Sequence, residues 1–380
     1  MKRRDFLAAS VAALFAPGAA FAQENYRRLL ILIELKGGND GLNTVVPYAD
    51  ANYYNLRPRL AVPRDQVLQL DARTGLHPAL KPLLPLWEAK ELAIVQGVGY
   101  SAPNLSHFRS IEIWDTASRS DQYLADGWLA RVFAGQPVPG GFAADGVVVG
   151  GNDMGPLAGP GGRAISLAEP EQFLRQARLA APASKARSGA LGHILKVEND
   201  IVQAAGNLTA NRAFRTEFAR NPFGNAVRTA AQLAANPAGV AAIRLSLGGF
   251  DTHQNQPGTH QRLLGELAEG IAALKAALIE AGRWDSTLLM TYSEFGRRPQ
   301  ENNSNGTDHG TASAHFIAGG KVRGGLYGDA PRLEALEGGN LRHAVDFRSL
   351  FATAIGRWWT LDSTRALAGR FEALDLVKAG

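Results

Sequence analysis

The chain of 380 residues contains no cysteine, which excludes a disulfide scaffold, a thiolate metal site, an iron–sulfur cluster and a cysteine nucleophile. Covalent chemistry is left to Ser, Thr, Asp, His, Lys or Tyr. Charge of one sign is also scarce: the formal net charge is +5 with 20% charged residues, and no basic run marks a nucleic-acid groove. No nucleic-acid partner is therefore expected. A phosphate loop ending in GKS or GKT, a GxGxxG opening into a helix and a GxSxG elbow are all missing, which weighs against a P-loop protein, a dinucleotide enzyme and an ordinary α/β-hydrolase. What is present is 46% hydrophobic residues, enough for a sizeable globular core.

The first residues read MKRRDFLAASVAALFAPGAAFAQ. Adjacent Arg3 and Arg4, then Phe6-Leu7, an Ala-rich stretch broken by Pro17 and Gly18, and Ala20-Phe21-Ala22 form the pattern of a twin-arginine signal peptide over residues 1–22. The apolar stretch is too short to span a bilayer, so no stable membrane anchor is expected. Cleavage after Ala22 would leave a periplasmic or secreted protein delivered by the twin-arginine translocase. That route carries proteins that fold before export, often around a cofactor or metal, and so a metal site is worth seeking.

The remainder alternates strands and helices. LLILIEL at 29–35 is a short continuous apolar run bounded by charge, as a strand buried on both faces requires. Further strands are expected at 92–96, 147–149, 241–247, 286–292 and 314–318, with helices after His77-Pro78 and over roughly 260–281. Residues 168–236 are rich in Ala, Arg, Leu and Gln and read mostly as helix. This alternation predicts a three-layer α/β fold with a mostly parallel central sheet and helices on both faces. No linker, repeat or low-complexity tract divides residues 23–380, which are expected to form one domain with a helical insertion near 155–236. Ligands of such a fold lie beyond the carboxyl ends of the strands.

Three segments after strands concentrate polar chemistry. Lys36-Gly-Gly-Asn-Asp-Gly-Leu-Asn-Thr44 places Asp40 among three glycines, which suits either close backbone approach to a cation or a tight turn satisfying its own backbone. Gly248-Gly-Phe-Asp-Thr-His253 is followed by His260, so that Asp251, His253 and His260 offer a carboxylate and two imidazoles for zinc, although Asp251 capping a turn explains it as well. Gly306-Thr-Asp-His-Gly310 sets Asp308 beside His309, with His315 a short distance on. Solvated faces rarely concentrate histidine in this way, and the clustering favours a metal site. Between these segments, Ser106 reads as a helix N-cap and as a nucleophile if a metal lowers its pKa, with Arg109 close to the same helix start. His107 is a candidate ligand, base or structural hydrogen bonder. Asp346 and Arg348 are expected to cap and pin a late helix, and His77 and His193 to be structural.

GGNDGLNTVVPY at 37–48, SHF at 106–108, GGFDTH at 248–253, SEFGR at 293–297 and GTDHG at 306–310, behind the twin-arginine leader, together resemble the domain-of-unknown-function-1501 family. The resemblance spans nearly the whole mature chain and implies a branch of the alkaline phosphatase-like superfamily, whose members place one or two divalent cations beside a nucleophile at a helix start. Carried over to this sequence, it implies that Asp40, Asp308 and His309 serve one cation, with Ser106 as nucleophile, and that Asp251, His253 or His260, and His315 serve a second. Arg109 would bind a non-bridging oxygen. The implied activity is hydrolysis of a phosphate or sulfate ester of a small molecule or glycan, with zinc, manganese or magnesium as cofactor. The alternative is a non-catalytic exported metal- or glycan-binding protein that keeps the fold. The usual Asp, three residues, His spacing of the superfamily is absent, because His253 follows Asp251 after one residue and the next histidine is His260.

Overall fold

The computed structural model describes residues 25–160, 162–167 and 212–378. The leader of residues 1–22, His193 and much of the expected helical insertion lie outside the described residues. Fourteen strands are seen among them: β1 (Leu29–Lys36), β2 (Val45–Val46), β3 (Leu68–Gln69), β4 (Gly75–Leu76), β5 (Leu92–Gly99), β6 (Ala144–Val149), β7 (Ala164–Leu167), β8 (Val240–Gly248), β9 (Thr287–Tyr292), β10 (Gly296–Glu301), β11 (Thr307–Gly310), β12 (Ser313–Ala318), β13 (Gly325–Gly328) and β14 (Val345–Asp346). The helices used below are α1 (Gly41–Thr44), α2 (Ala51–Leu56), α3 (Leu84–Glu88), α4 (His107–Thr116), α5 (Trp128–Gly135), α6 (Pro222–Ala234), α7 (Gln256–Glu280) and α8 (Phe347–Ala352).

The main sheet has the order β13-β5-β12-β9-β1-β8-β6-β7, with β14 also paired to β5. β1 lies at its centre, parallel to both β8 and β9. The period-2 geometry of a strand sends alternate residues to opposite faces. Leu29, Ile31, Ile33 and Leu35 join the core under α6 and α7, while Leu30 and Leu32 join the core under α4, α5 and α8. Burial on both sides explains why β1 shows no polar alternation. Each fully buried Leu or Ile side chain contributes about 1.5–3 kcal/mol, as an upper estimate. In α7, Leu263, Leu267, Ile271, Leu274 and Leu278 recur at helical spacing and face the first core. Glu34, on the second face, accepts from Arg244 of β8 at 2.8 Å in a buried pair.

The expected three-layer α/β arrangement with a mainly parallel sheet is what forms. The structure departs from the sequence reading in three places. β12 runs antiparallel to both β5 and β9. Residues 164–167, expected within a helical insertion, form an edge strand parallel to β6. The helix after His77 begins as a 3₁₀ turn over Pro78–Leu83 before α3, because Pro82 and Pro85 cannot donate to an α-helical ladder. Asp346 and Arg348 behave as expected: the Asp346 side chain caps α8 through Arg348 N and binds the Arg348 guanidinium.

Candidate metal centre

The carboxyl ends of β1, β8 and β9 open toward one side of the sheet, and the loops that follow them build the centre. After β1, Gly37 adopts φ +118, and a Cβ there would lie 2.4 Å from Asp251 N. Only glycine lets the β1 and β8 loops approach this closely. Arg297 of β10, fully buried, then ties the loops together. It donates to the carbonyls of Gly37, Gly38, Phe250 and Thr307 and to Asp251 Oδ1 at 2.6 Å. The β10–β11 hairpin places His309 opposite Arg297 in register, and so above Asp251.

Three imidazoles converge on Asp251. His253 Nε2 is 3.1 Å from Asp251 Oδ1, His309 Nε2 is 3.2 Å from the same oxygen, and His107 Nε2 is 3.4 Å from Asp251 Oδ2. His253 Nε2 and His309 Nε2 are 2.9 Å apart. The far nitrogens of two rings are taken by the protein: His309 Nδ1 bonds to Leu105 O at 2.7 Å and His107 Nδ1 to Glu294 Oε1 at 2.9 Å. Phe295 packs against the rings of both His107 and His309. Burial alone would raise the Asp251 carboxyl, but the hydrogen bond and positive charge of Arg297 bring it down to about 2. Burial, the largest influence, lowers His309; in the neutral ring the single proton on Nδ1 bonds Leu105 O, which leaves Nε2 able to act as a ligand.

This donor set fits a cation. His107, Asp251 and His309 offer ligand atoms that all lie within 4.8 Å of one another. A tetrahedral zinc ion with ligands about 2.0–2.1 Å away separates its donors by roughly 3.3 Å. Within that group, His309 Nε2 lies 3.2 Å from Asp251 Oδ1 and His107 Nε2 3.4 Å from Asp251 Oδ2, close to that spacing.

Several residues expected at a metal lie elsewhere. Asp40 is fully buried and its oxygens are already used: Oδ1 caps α1 through Leu42 N and Asn43 N, and Oδ2 accepts from Arg57 at 2.6 Å and from Gln256. Burial raises its carboxyl, but the Arg57 guanidinium outweighs this and holds it below the usual range. The expected cation at Asp40 is replaced by an arginine side chain. His260, also buried, points its Nε2 at Asn39 Oδ1, 2.9 Å away, and burial lowers it to about 4. His315 lies in the second core against the Trp114 ring at a centroid distance of 5.4 Å, and burial lowers it to about 3. Neither histidine reaches Asp251, so the expected division of ligands between two cations is not what the described residues form. Asp308 borders the centre through His253 Nδ1 at 3.5 Å and Asn302 at 3.2 Å.

At the start of α4, Ser106 is exposed and its side chain makes no capping bond. Arg109, expected to meet substrate, is turned away. Its Nη2 donates to the carbonyls of Arg119, Ser120 and Gln122, and its guanidinium lies 3.9 Å from the Tyr123 ring centroid. Its work is to hold the loop after α4. Sequence reasoning missed Glu294, Arg297 and Arg57. The first two stand in the SEFGR segment, and Arg57 carries no motif signal.

The fold and centre define an α/β protein with a histidine- and carboxylate-rich site at the carboxyl ends of its strands. The chain belongs to the family described as protein of unknown function DUF1501, whose model matches residues 27–370. No curated protein matches the sequence. Among solved structures it is similar to a phosphonate monoester hydrolase from Silicibacter pomeroyi, at 13% identity over 91% of this chain and 78% of that one, with a TM-score of 0.43. It is also similar to a protein in the alkaline phosphatase superfamily from Vibrio parahaemolyticus (11% identity, 93% and 77% covered, TM-score 0.43). A third is a sulfatase from Pseudoalteromonas sp. (11% identity, 94% and 74% covered, TM-score 0.42).

Proposed function

We propose that the protein is an exported hydrolase of phosphate or sulfate esters that works with one divalent cation held by His107, Asp251, His253 and His309. The convergence of three imidazoles on the Asp251 carboxylate carries this reading. A nitrogen-rich set of this kind suits zinc better than magnesium or manganese, which favour oxygen. When bound, such an ion supplies Lewis-acid polarisation of the ester and a lower pKa for a hydroxyl beside it.

The chain's own residues do the rest. Arg297 and Gly37 fix where Asp251 stands. Ser106, exposed and directly before His107, is the nucleophile of this reading. The first amides of α4, left without a side-chain cap, are available to an anionic ester oxygen. Phe108, 89% exposed beside them, offers an apolar face to the ring of a glycan or small-molecule ester. The twin-arginine pattern of residues 1–22 supports export to the periplasm or beyond. No helix of the described residues is long and apolar enough to cross a membrane.

The test is turnover of p-nitrophenyl phosphate and p-nitrophenyl sulfate by zinc-loaded mature protein, with Asp251→Ala and Ser106→Ala beside it. Hydrolysis of either ester that both variants abolish supports the reading. The second reading, a non-catalytic metal- or glycan-binding protein, is favoured by the commitment of Arg109 to loop carbonyls. Full zinc occupancy with no turnover selects it.

A further inference from the structure

We infer that Glu294 is a positioning residue of this centre: its buried carboxylate orients the His107 ring and fixes the tautomer that presents Nε2 to the cation. The inference rests on the cation-binding reading above, and its test separates the two.

Glu294 stands two residues beyond the end of β9 and is 2% exposed. Its Oε1 accepts from His107 Nδ1 at 2.9 Å and from Gly37 N at 2.9 Å. Its main-chain oxygen accepts from Ser110 Oγ, one turn along α4 from His107. One residue thus joins the end of β9, the glycine turn after β1 and the first turn of α4. A carboxylate only accepts, so the single proton of a neutral His107 ring sits on Nδ1. Nε2 is left with its lone pair, 3.4 Å from Asp251 Oδ2. Leu105 O does the same for His309 through its Nδ1. Both rings are therefore held in one tautomer with Nε2 bare and aimed at a common point. The other oxygen of Glu294, Oε2, accepts from Ser293 Oγ at 3.3 Å.

Outer carboxylates of this kind commonly change metal affinity 10–100-fold when removed. Zinc affinity is measured by competition with a chromogenic chelator, and the His107 tautomer by long-range proton–nitrogen NMR on zinc-free protein. Glu294→Ala is expected to weaken zinc binding about 10–100-fold and to let His107 populate the Nε2–H tautomer, while His309 stays Nδ1–H. Glu294→Gln keeps an oxygen that accepts from His107 and Gly37, and is expected to restore the tautomer and most of the affinity. A tautomer unchanged in Glu294→Ala overturns the inference, whether or not affinity falls. Should Glu294→Ala fail to fold, a mixed His107 tautomer in wild-type protein overturns it equally. Wild-type protein that binds no zinc but shows the fixed His107 tautomer, released in Glu294→Ala, sinks the cation reading and leaves the positioning role standing.

Discussion

His253 Nε2 and His309 Nε2 face each other across 2.9 Å, with Asp251 Oδ1 at 3.1 Å from the first and 3.2 Å from the second. Two imidazole lone pairs at that separation need a proton or a cation between them. Protein purified without chelator is expected to carry one zinc ion per chain. Asp251→Ala and His309→Ala lose it, whereas Asp40→Asn and His315→Leu keep it. Elemental analysis decides this, and zinc lost from folded Asp40→Asn would restore Asp40 to the ligands.

The Asp40–Arg57 pair is fully buried on both sides. Removing one partner from such a pair leaves an uncompensated charge in the core, at a cost of about 3–5 kcal/mol. Arg57→Ala and Asp40→Asn are both expected to lose about that much stability in urea unfolding, because each strands a buried charge. A full loss in Arg57→Ala with almost none in Asp40→Asn would mean that packing, and not charge, sets the cost.

Gly37→Ala is expected to destabilise by about 1–3 kcal/mol from backbone strain alone and to displace Asp251, whose amide lies 2.4 Å from the new Cβ. Gly248→Ala, where a Cβ meets nothing within 4 Å, serves as control. Zinc content and urea midpoint are read on both. A Gly37→Ala protein with the zinc content and midpoint of wild type would remove the close approach as the reason for glycine.

Burial lowers His77 and His260 to about 4 and His315 to about 3, whereas in the unfolded chain each titrates near 6.5. Between pH 6.5 and 4 the unfolded state therefore binds protons that the fold refuses. Stability is full above pH 6.5 and falls as pH drops through this window, by up to about 1.4 kcal/mol per pH unit for each histidine. Urea midpoints at pH 7, 6 and 5 should show the fall, and His315→Leu should flatten it by one proton. An unchanged slope in that variant would place the titration elsewhere.

Arg109→Ala is expected to loosen the loop of residues 119–123 while leaving KM for a turned-over ester within about twofold, since its guanidinium is held by three carbonyls of that loop. Steady-state kinetics and limited proteolysis read the two effects. A tenfold rise in KM without new cleavage would return Arg109 to the substrate.

The sheet was largely legible because its strands are continuous apolar runs, of which LLILIEL is the plainest, and burial on both faces leaves no other home for such a run. Asp251, His253 and His309 were legible because short polar segments directly after strands must lie at the carboxyl edge. Asp40 shares that position, and yet its carboxylate is taken by Arg57 and Gln256. Its partner Arg57 comes from beyond α2, and nothing in the local spacing announces the pair. His315 misled for a different reason. A histidine inside a strand, three residues past a turn, looks like a ligand in a string of letters, and only the Trp114 ring above it shows that it belongs to the core. Glu294 was hidden because a single Glu after a strand carries no spacing, and its meaning depends on His107 arriving from another part of the chain.

The guanidinium that answers Asp40 is encoded in the same polypeptide and cannot be dialysed away. The loop after β1 consequently owes its shape to heredity and not to the medium. Stripping the neighbouring centre of its ion should leave the scaffold standing, ready to be reloaded. Under the proposed reading, the polypeptide is expected to finish folding before that centre is filled, so that the ion can be exchanged without unmaking the loops around it.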